Sequence, residues 1–444
     1  MGNLATYVLI LVALIVGTWF RPAIALASLI CVQVVDVWGQ VVSPWLYMHP
    51  QFTNFFMVAC IGLGVCRAWW YGRCAINTVP WVQVLLTSLF MYAACSLWWT
   101  PAFKEGIVEW SKYWPYIIIN VWVAPLLLRR RTDLYYGLSA ILILGAGLAI
   151  LFDVLVRWNA RTVVAFWDTS TTIWNALAFA HLAGYVTMAA VLLNHDQTRR
   201  WVVLRYVAIA ACIVLVLKSE TRAQFFLMVT IPVLFLPLSR PMSSIKAYAS
   251  WVILAACVAA IALFAYEALV QEKRWSSQRV QSDWDIRVRM VSALLYHWSR
   301  ASAQDPSSLM LGLGNSASFS ANIAGFHPHM VTLEVLGEEG LIGISLLILL
   351  LWASWRTMRT AFALVKHDPI QRGIMATLAA TFVFDFLLSF KSGSLVGFGT
   401  QMFLFVLLIE RQVAILTAEN RQDFGRQRLQ HPTAYANSAL AKVL

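Results

Sequence analysis

A histidine and a few arginines in this chain have the types and placement to do chemistry. His329 ends the loop part of PSSLMLGLGNSASFSANIAGFHPHMVTLEVLGEEGLIG, residues 306–343, where a Gly- and Ser-rich stretch turns into an apolar helix. His327 lies two residues upstream, with Pro328 between them. Proline suits the first turn of a helix. The pattern therefore predicts that His329 sits in that first turn, with Leu333 and Leu336 at i+4 and i+7 on its face. The positive end of a helix dipole disfavours imidazolium. A neutral imidazole can accept a proton, as a general base must, and the same helix end attracts phosphate. Only His329 has a helical register, so it is preferred to His327.

Arginine supplies the complementary charge. Its planar fork donates two parallel hydrogen bonds to phosphate. Arg222 lies in LKSETRAQFF, a short polar gap between two apolar runs, and is thereby held at a membrane boundary. Arg287 and Arg289 lie in DIRVRMVSALLYHW, residues 285–298. There Val288, Val291, Leu294, Leu295 and Trp298 fall on one helical face, as in a helix on the membrane surface or over a cavity mouth. Arg161 stands in a further loop on the same side. The bland counterpart is an arginine snorkelling from a helix end and a histidine that only caps one. Taken together, the cations fit an anionic ligand beside a base.

The elements that position these residues follow from composition. Apolar residues make up 60% of 444, charged residues 12%, and the mean hydropathy is +0.70. Soluble domains are far more charged, so the chain reads as an integral membrane protein and a secreted soluble protein is excluded. A spanning helix needs ~20 apolar residues. Apolar runs fall near 4–20, 22–40, 52–66, 79–98, 113–128, 134–156, 172–194, 201–217, 224–239, 247–268, 329–353, 373–390 and 394–410. The second and third can be re-cut, giving an all-α polytopic protein of 12 or 13 spans. The 21 tryptophans suit many membrane interfaces. The first run lacks a basic n-region and a cleavage site, so it is expected to be retained as a span. The chain divides into spans over 1–268, a long polar loop with short helices over 269–328, spans over 329–410, and a basic tail over 411–444.

Lys and Arg sort the loops. Arg21, Arg67, Arg73, Arg129, Arg130, Arg131, Arg199, Arg200, Arg240, Lys246, Arg356, Arg359, Lys366 and Arg372 occupy one alternating set, expected to be cytoplasmic. Residues 99–112, 157–171, 218–223, 269–328 and 391–393 then face outward. The net charge of +12 belongs to this bias and to anionic membrane lipid, with no call for nucleic acid. Gly312-Leu313-Gly314 lacks the strand–turn–helix setting of a dinucleotide site, so its glycines are expected to serve a tight turn. Gly337, Gly340 and Gly343 recur every third residue and allow a neighbouring helix to approach closely. Seven cysteines without a CxxC suggest neither a disulfide framework nor a zinc site.

The spacing His329-x3-Leu333-x2-Leu336-x-Glu338-x-Gly340-x2-Gly343 resembles the signature of the O-antigen ligase and polymerase superfamily. Pro306 with Gly312-Leu313-Gly314 and Phe319 is similar to that family's P-x-x-G-x-G-x-x-x-F stretch, with extra residues after the proline. Arg287 matches the arginine before it. Thr221-Arg222-Ala223 resembles the family's Ser/Thr-Arg-small motif, and Trp174-Asn175-Ala176-Leu177-Ala178 its Asn-x-x-Ala span start. The likeness covers roughly residues 170–400. Met330 stands where the family usually has Asn or another small polar residue, and Val291 where it often has Trp.

The resemblance implies a GT-C-like fold and a metal-independent inverting glycosyltransferase without cofactor. Such enzymes move a preassembled glycan from undecaprenyl diphosphate to an acceptor hydroxyl on the periplasmic side of the bacterial inner membrane. In that reading Arg222 and Arg287 hold the diphosphate, with Arg289 and Arg161 in the same cluster. His329 is the base, and Glu338 and His327 support it. One long outward loop, rather than two of similar size, favours a ligase acting on lipid A–core over an O-antigen or exopolysaccharide polymerase. A protein O-oligosaccharyltransferase is the third option. A transporter would instead place ionisable residues at mid-membrane, where Asp153 and Asp385 are the candidates.

Overall fold

In lipid a peptide group finds no water to bond, so apolar runs of this length close their hydrogen bonds internally as helices. The computed structural model describes residues 2–70, 79–159, 162–194, 198–240, 244–270, 277–391 and 393–430. Its helices are α1 (Gly2–Phe20), α2 (Ala25–Val42), α3 (Pro44–Met48), α4 (Gln51–Trp70), α5 (Trp81–Ser96), α6 (Phe103–Ile118), α7 (Asp133–Leu155) and α8 (Ala176–Leu192). They continue as α9 (Arg199–Lys218), α10 (Arg222–Ser239), α11 (Ile245–Val270), α12 (Ser277–Gln304), α13 (Ser307–Leu311), α14 (Val331–Leu364), α15 (Pro369–Leu388) and α16 (Leu395–Gln430). Among the described residues eight helices are long and apolar enough to cross a membrane, and four shorter apolar helices accompany them. The chain is therefore a predominantly helical, multi-pass membrane protein.

The all-α, polytopic expectation holds, with three differences in detail. The run at 113–128 is not a helix of its own. Residues 103–112, expected in a loop, begin α6, which passes into a π turn at Ile119–Val123 and a 3-10 turn at Ala124–Leu127. Pro115 and Pro125 remove backbone donors there, and the ladder changes pitch. Within the predominantly α fold, the expected loop at 157–171 also holds a small sheet. An antiparallel sheet, β1 (Trp158–Asn159), β2 (Thr162–Val164) and β3 (Thr172–Trp174), pairs Val163 with Ile173. β-branched residues favour this pleat, and Val163 and Ile173 are buried in it. Finally, the expected tail at 411–444 begins as a continuation of α16 as far as Gln430, with the rest outside the described residues.

The bundle has two chemically distinct ends. At one, the Asp133 carboxylate accepts the backbone N–H groups of Arg129 and Arg130, both at 2.8 Å, and starts α7. Arg131 pairs with Asp368 before α15, and Gln412 of α16 donates to the Arg131 carbonyl at 2.8 Å. Asn194 donates to the carbonyls of Ser239 and Pro369, which brings the C-terminus of α10 to this end. The N-terminus of α10, with Arg222, therefore lies at the opposite end, as does the C-terminus of α15. Lys218 donates to the Asp153 carbonyl at 2.6 Å and closes α7 against α9 there. Between the ends, small residues let helices meet: Gly145 faces Val186, and Gly184 faces the Phe384 ring.

Candidate functional site

The site is built on a break in α14. Gly340 has φ +63 and ψ −158, so the helix stops after Glu339 and restarts. The break frees the carbonyls of Gly337 and Glu338, which would otherwise accept from the next turn. The loop supplies the missing donors: Leu313 N–H reaches the Gly337 carbonyl at 3.1 Å and Gly314 N–H the Glu338 carbonyl at 2.8 Å. At Gly312, φ +76, a Cβ would lie 2.1 Å from the Glu338 carbonyl oxygen. The Gly-Leu-Gly stretch is thus a backbone clasp laid on the interrupted helix, and its tight turn serves that contact.

Buried carboxylates complete the clasp. Glu338 is 2% exposed and accepts the backbone N–H of Ser316 at 2.7 Å and of Ser318 at 3.0 Å. Glu339 accepts from the Asn315 side-chain amide at 3.0 Å. Asn315 in turn accepts from the Trp110 indole of α6 at 2.9 Å and donates its backbone N–H to Ser96 Oγ of α5 at 2.9 Å. Glu334 accepts from the Leu395 N–H at 2.9 Å, and the Val331 N–H donates to the Ser389 carbonyl at 3.0 Å. Loop and helix start are thereby tied to α5, α6, α15 and α16. Glu338 was expected as a supporting residue. Glu334, Glu339, Asn315, Ser316, Ser318 and Trp110 were not anticipated. The available signal was a set of acids in an otherwise apolar helix, which must find donors once buried.

The histidines stand just before this helix. His329 is not in its first turn: α14 starts at Val331 with Met330 as N-cap, and His329 has φ +58. Few residues other than glycine adopt that conformation, though histidine does so more than most. Holding it costs ~1–3 kcal/mol, supplied by the surroundings. Helical register therefore does not separate the two histidines. Their rings lie edge to face at 4.1 Å between centroids. Phe326 is 4.3 Å from His327 and 5.3 Å from His329, and Phe319 is 5.8 Å from His327. Burial lowers the pKa of His327 to about 4. Burial, then His327, then Arg287 lower that of His329 to about 4. Both rings are neutral at pH 7, as expected for His329, but burial is the principal cause rather than a helix dipole. His329 Nδ1 is buried and has no hydrogen-bond partner among the described residues.

The arginines divide. α12 runs well beyond the expected 285–298 and packs on α14 through Leu294, which sits where a Cβ on Gly337 would be. Val291 and Leu294 of the expected face are buried, while Val288 is exposed. This places half-buried Arg287 within electrostatic reach of His329. Arg289 is exposed, and its Nε donates to the Asp285 carbonyl of its own helix at 3.3 Å. Arg222 is the first residue of α10, after Thr221, whose hydroxyl meets Ser219 Oγ at 2.9 Å. It shares the histidines' end of the bundle, since Val331 is tied to Ser389 at the end of α15. Arg161 lies outside the described residues. Of the three helix glycines, Gly337 meets a neighbouring helix, Gly340 makes the break, and a Cβ on Gly343 would strike Glu339 of its own helix. The group can accept a proton beside a fixed cation in a partly dehydrated aromatic setting. No protein-family model matches the chain, and no curated protein matches it.

Proposed function

We propose that the chain is an inverting glycosyltransferase of the bacterial inner membrane, ligase-like, acting in lipopolysaccharide biosynthesis. It would take a glycan from undecaprenyl diphosphate and pass it to a hydroxyl of lipid A–core at the periplasmic face. The observation that carries this reading is the neutral His327–His329 pair with Arg287 in range of His329, at the end of the bundle that also holds Arg222. In the reaction His329 accepts the proton of the attacking hydroxyl. The hydroxyl oxygen bonds to the anomeric carbon from the face opposite the diphosphate. The carbon–oxygen bond to the diphosphate breaks, and its electron pair leaves with the phosphate oxygen. Arg222 and Arg287 stabilise that charge. Arginine thereby takes the part a divalent cation plays elsewhere, so EDTA should leave the rate unchanged.

A transporter reading receives less support. Asp385 accepts the Tyr185 hydroxyl on both oxygens at 2.9 Å, and Asp153 lies 3.8 Å from Lys218. Asp153 stands at the end of α7 and Asp385 in the last turn of α15, so neither acid lies at mid-membrane.

The test is to incubate the purified protein with undecaprenyl-diphosphate-linked glycan, with and without lipid A–core. A glycan joined to lipid A–core supports ligation. A longer lipid-linked glycan would make the protein a polymerase instead. No transfer under either condition, or near-normal transfer by a folded His329→Ala variant, would sink the assignment.

A further inference from the structure

At the arginine-rich end, away from the histidines, a groove of about 720 Å³ opens between α5, α14 and α16. Leu85, Leu349, Ala353 and Val413 make it apolar, and Arg356 stands in its lining. It adjoins a second depression of about 490 Å³, lined by Trp355 and Arg359 and sharing Trp352 and Arg356 with the first. Trp81, Trp352 and Trp355 are all exposed here. Indole rings settle at the level of lipid headgroups, so this end of the groove lies at interface depth. The Arg356 guanidinium sits 5.6 Å from the centre of the Trp352 ring. Arg359 follows one turn later on the same helix face. Neither arginine forms an ion pair among the described residues.

The groove does contain an acid, Glu410. Its two carboxylate oxygens accept the backbone N–H groups of Val82 and Gln83, at 3.0 and 3.3 Å, and so cap the start of α5. The acid is engaged with a helix end, and the mouth of the groove keeps two guanidinium groups facing outward.

We propose that this groove binds an anionic glycerophospholipid, one acyl chain lying in the apolar slot and the phosphodiester held by Arg356 and Arg359. An apolar trench explains a chain, and paired guanidiniums at interface depth explain a phosphate. Neither feature alone requires the other, but a phospholipid matches both. The site is separate from the histidine end and does not depend on glycan transfer. With the arginine-rich end cytoplasmic, the lipid comes from the inner leaflet.

The experiment is native mass spectrometry of the full-length protein with phosphatidylglycerol or phosphatidylcholine of the same acyl chains. Phosphatidylglycerol should be retained in preference. Both lipids carry the phosphodiester and only phosphatidylcholine sets a cationic choline against the two guanidiniums, so Arg356→Gln with Arg359→Gln should weaken both and reduce the preference roughly tenfold, about 1.4 kcal/mol. The matching double lysine variant should keep most of it. Leu349→Trp, at an exposed position inside the slot, should weaken both lipids while leaving both arginines in place. Melting temperature and a monodisperse size-exclusion profile check that each variant is folded.

Equal retention of the two lipids overturns the proposal, as does a preference untouched by the double Gln variant. Competition by glycerol phosphate as effective as by the lipid assigns the site to a soluble phosphate and also overturns it. Preferential capture of polyprenyl phosphate does the same. So does a dimer that Leu349→Trp dissociates, since a second copy would then fill the groove.

Discussion

A histidine with an ordinary pKa of ~6.5 is largely protonated in mildly acidic medium. His327 and His329 are not, because burial holds each near 4. If His329 is the base, transfer should stay flat from neutral pH down through pH 5 and fall as pH passes about 4. Arg287→Gln removes a like charge, so the acid limb should move to higher pH. His327→Gln should move it further, since His327 acts on His329 more strongly than Arg287 does. The pH–rate profile of transfer checks this; a wild-type limb near 6.5, or no movement in either variant, counts against the assignment. Stability carries the same sign. Between about 4 and ~6.5 these two groups bind more protons in the unfolded chain than in the folded one, so their own contribution to stability rises with pH there. The melting temperature of the wild type, relative to that of a His327→Gln, His329→Gln variant, should accordingly fall as pH drops from ~6.5 towards about 4. At Arg222, lysine keeps the charge but not the fork, and Arg222→Lys should lower transfer on the order of 10- to 100-fold. Full activity of that variant would reduce the residue to a simple charge.

The interrupted helix is the element on which the site depends. Gly340 holds φ +63, and a Cβ there would lie 2.5 Å from the Met310 carbonyl oxygen. Gly340→Ala should cost at least ~1–3 kcal/mol and loosen the loop at 312–318. Melting temperature and proteolysis within that loop measure both effects. Glu338→Ala leaves two buried N–H groups without an acceptor, at ~1–3 kcal/mol each. Transfer should fall with it even though Glu338 need not touch substrate, because the loop it fastens carries Phe319 against the histidines. Much of this element is legible in the sequence: the helix after His329, the turn at Gly312-Leu313-Gly314 and the pattern through Gly343 can all be read there. The break cannot. A glycine every third residue reads equally as a packing stripe or as a positive-φ position, and only the backbone angle separates them. The partners of Glu334 and Glu339 are also hidden, since Leu395 and Asn315 are distant in sequence. Register sets His329 apart in the sequence, but a left-handed residue before the N-cap has no helical register, and the two rings are neighbours.

Across the whole molecule, alternation of loop charge is the most informative signal. It separates Arg129, Arg130 and Arg131 from Arg222 without any knowledge of packing, and the described ends of the bundle divide in the same way. Span counting is less secure, because Pro115 and Pro125 turn one apolar run into the end of α6 and its π and 3-10 turns, and β-branched residues make a small sheet of a loop. The charge pattern has a direct consequence for sidedness. Membranes retain Lys- and Arg-rich short loops on the cytoplasmic side, so the histidine end must be outward if that rule governs this chain. Asn322, exposed in the loop before His327, and His367, exposed in the turn between α14 and α15, report the two ends. If the protein sits in the bacterial inner membrane as proposed, then in a chain whose native cysteines are replaced Asn322→Cys should react with a membrane-impermeant maleimide from outside once the outer membrane is made permeable. His367→Cys should react only after the inner membrane is opened. Labelling in the reverse order would put the histidines in the cytoplasm. A donor presented at the periplasmic face could then not reach them, and the proposed reaction would fail on topology alone, whatever the chemistry of His329.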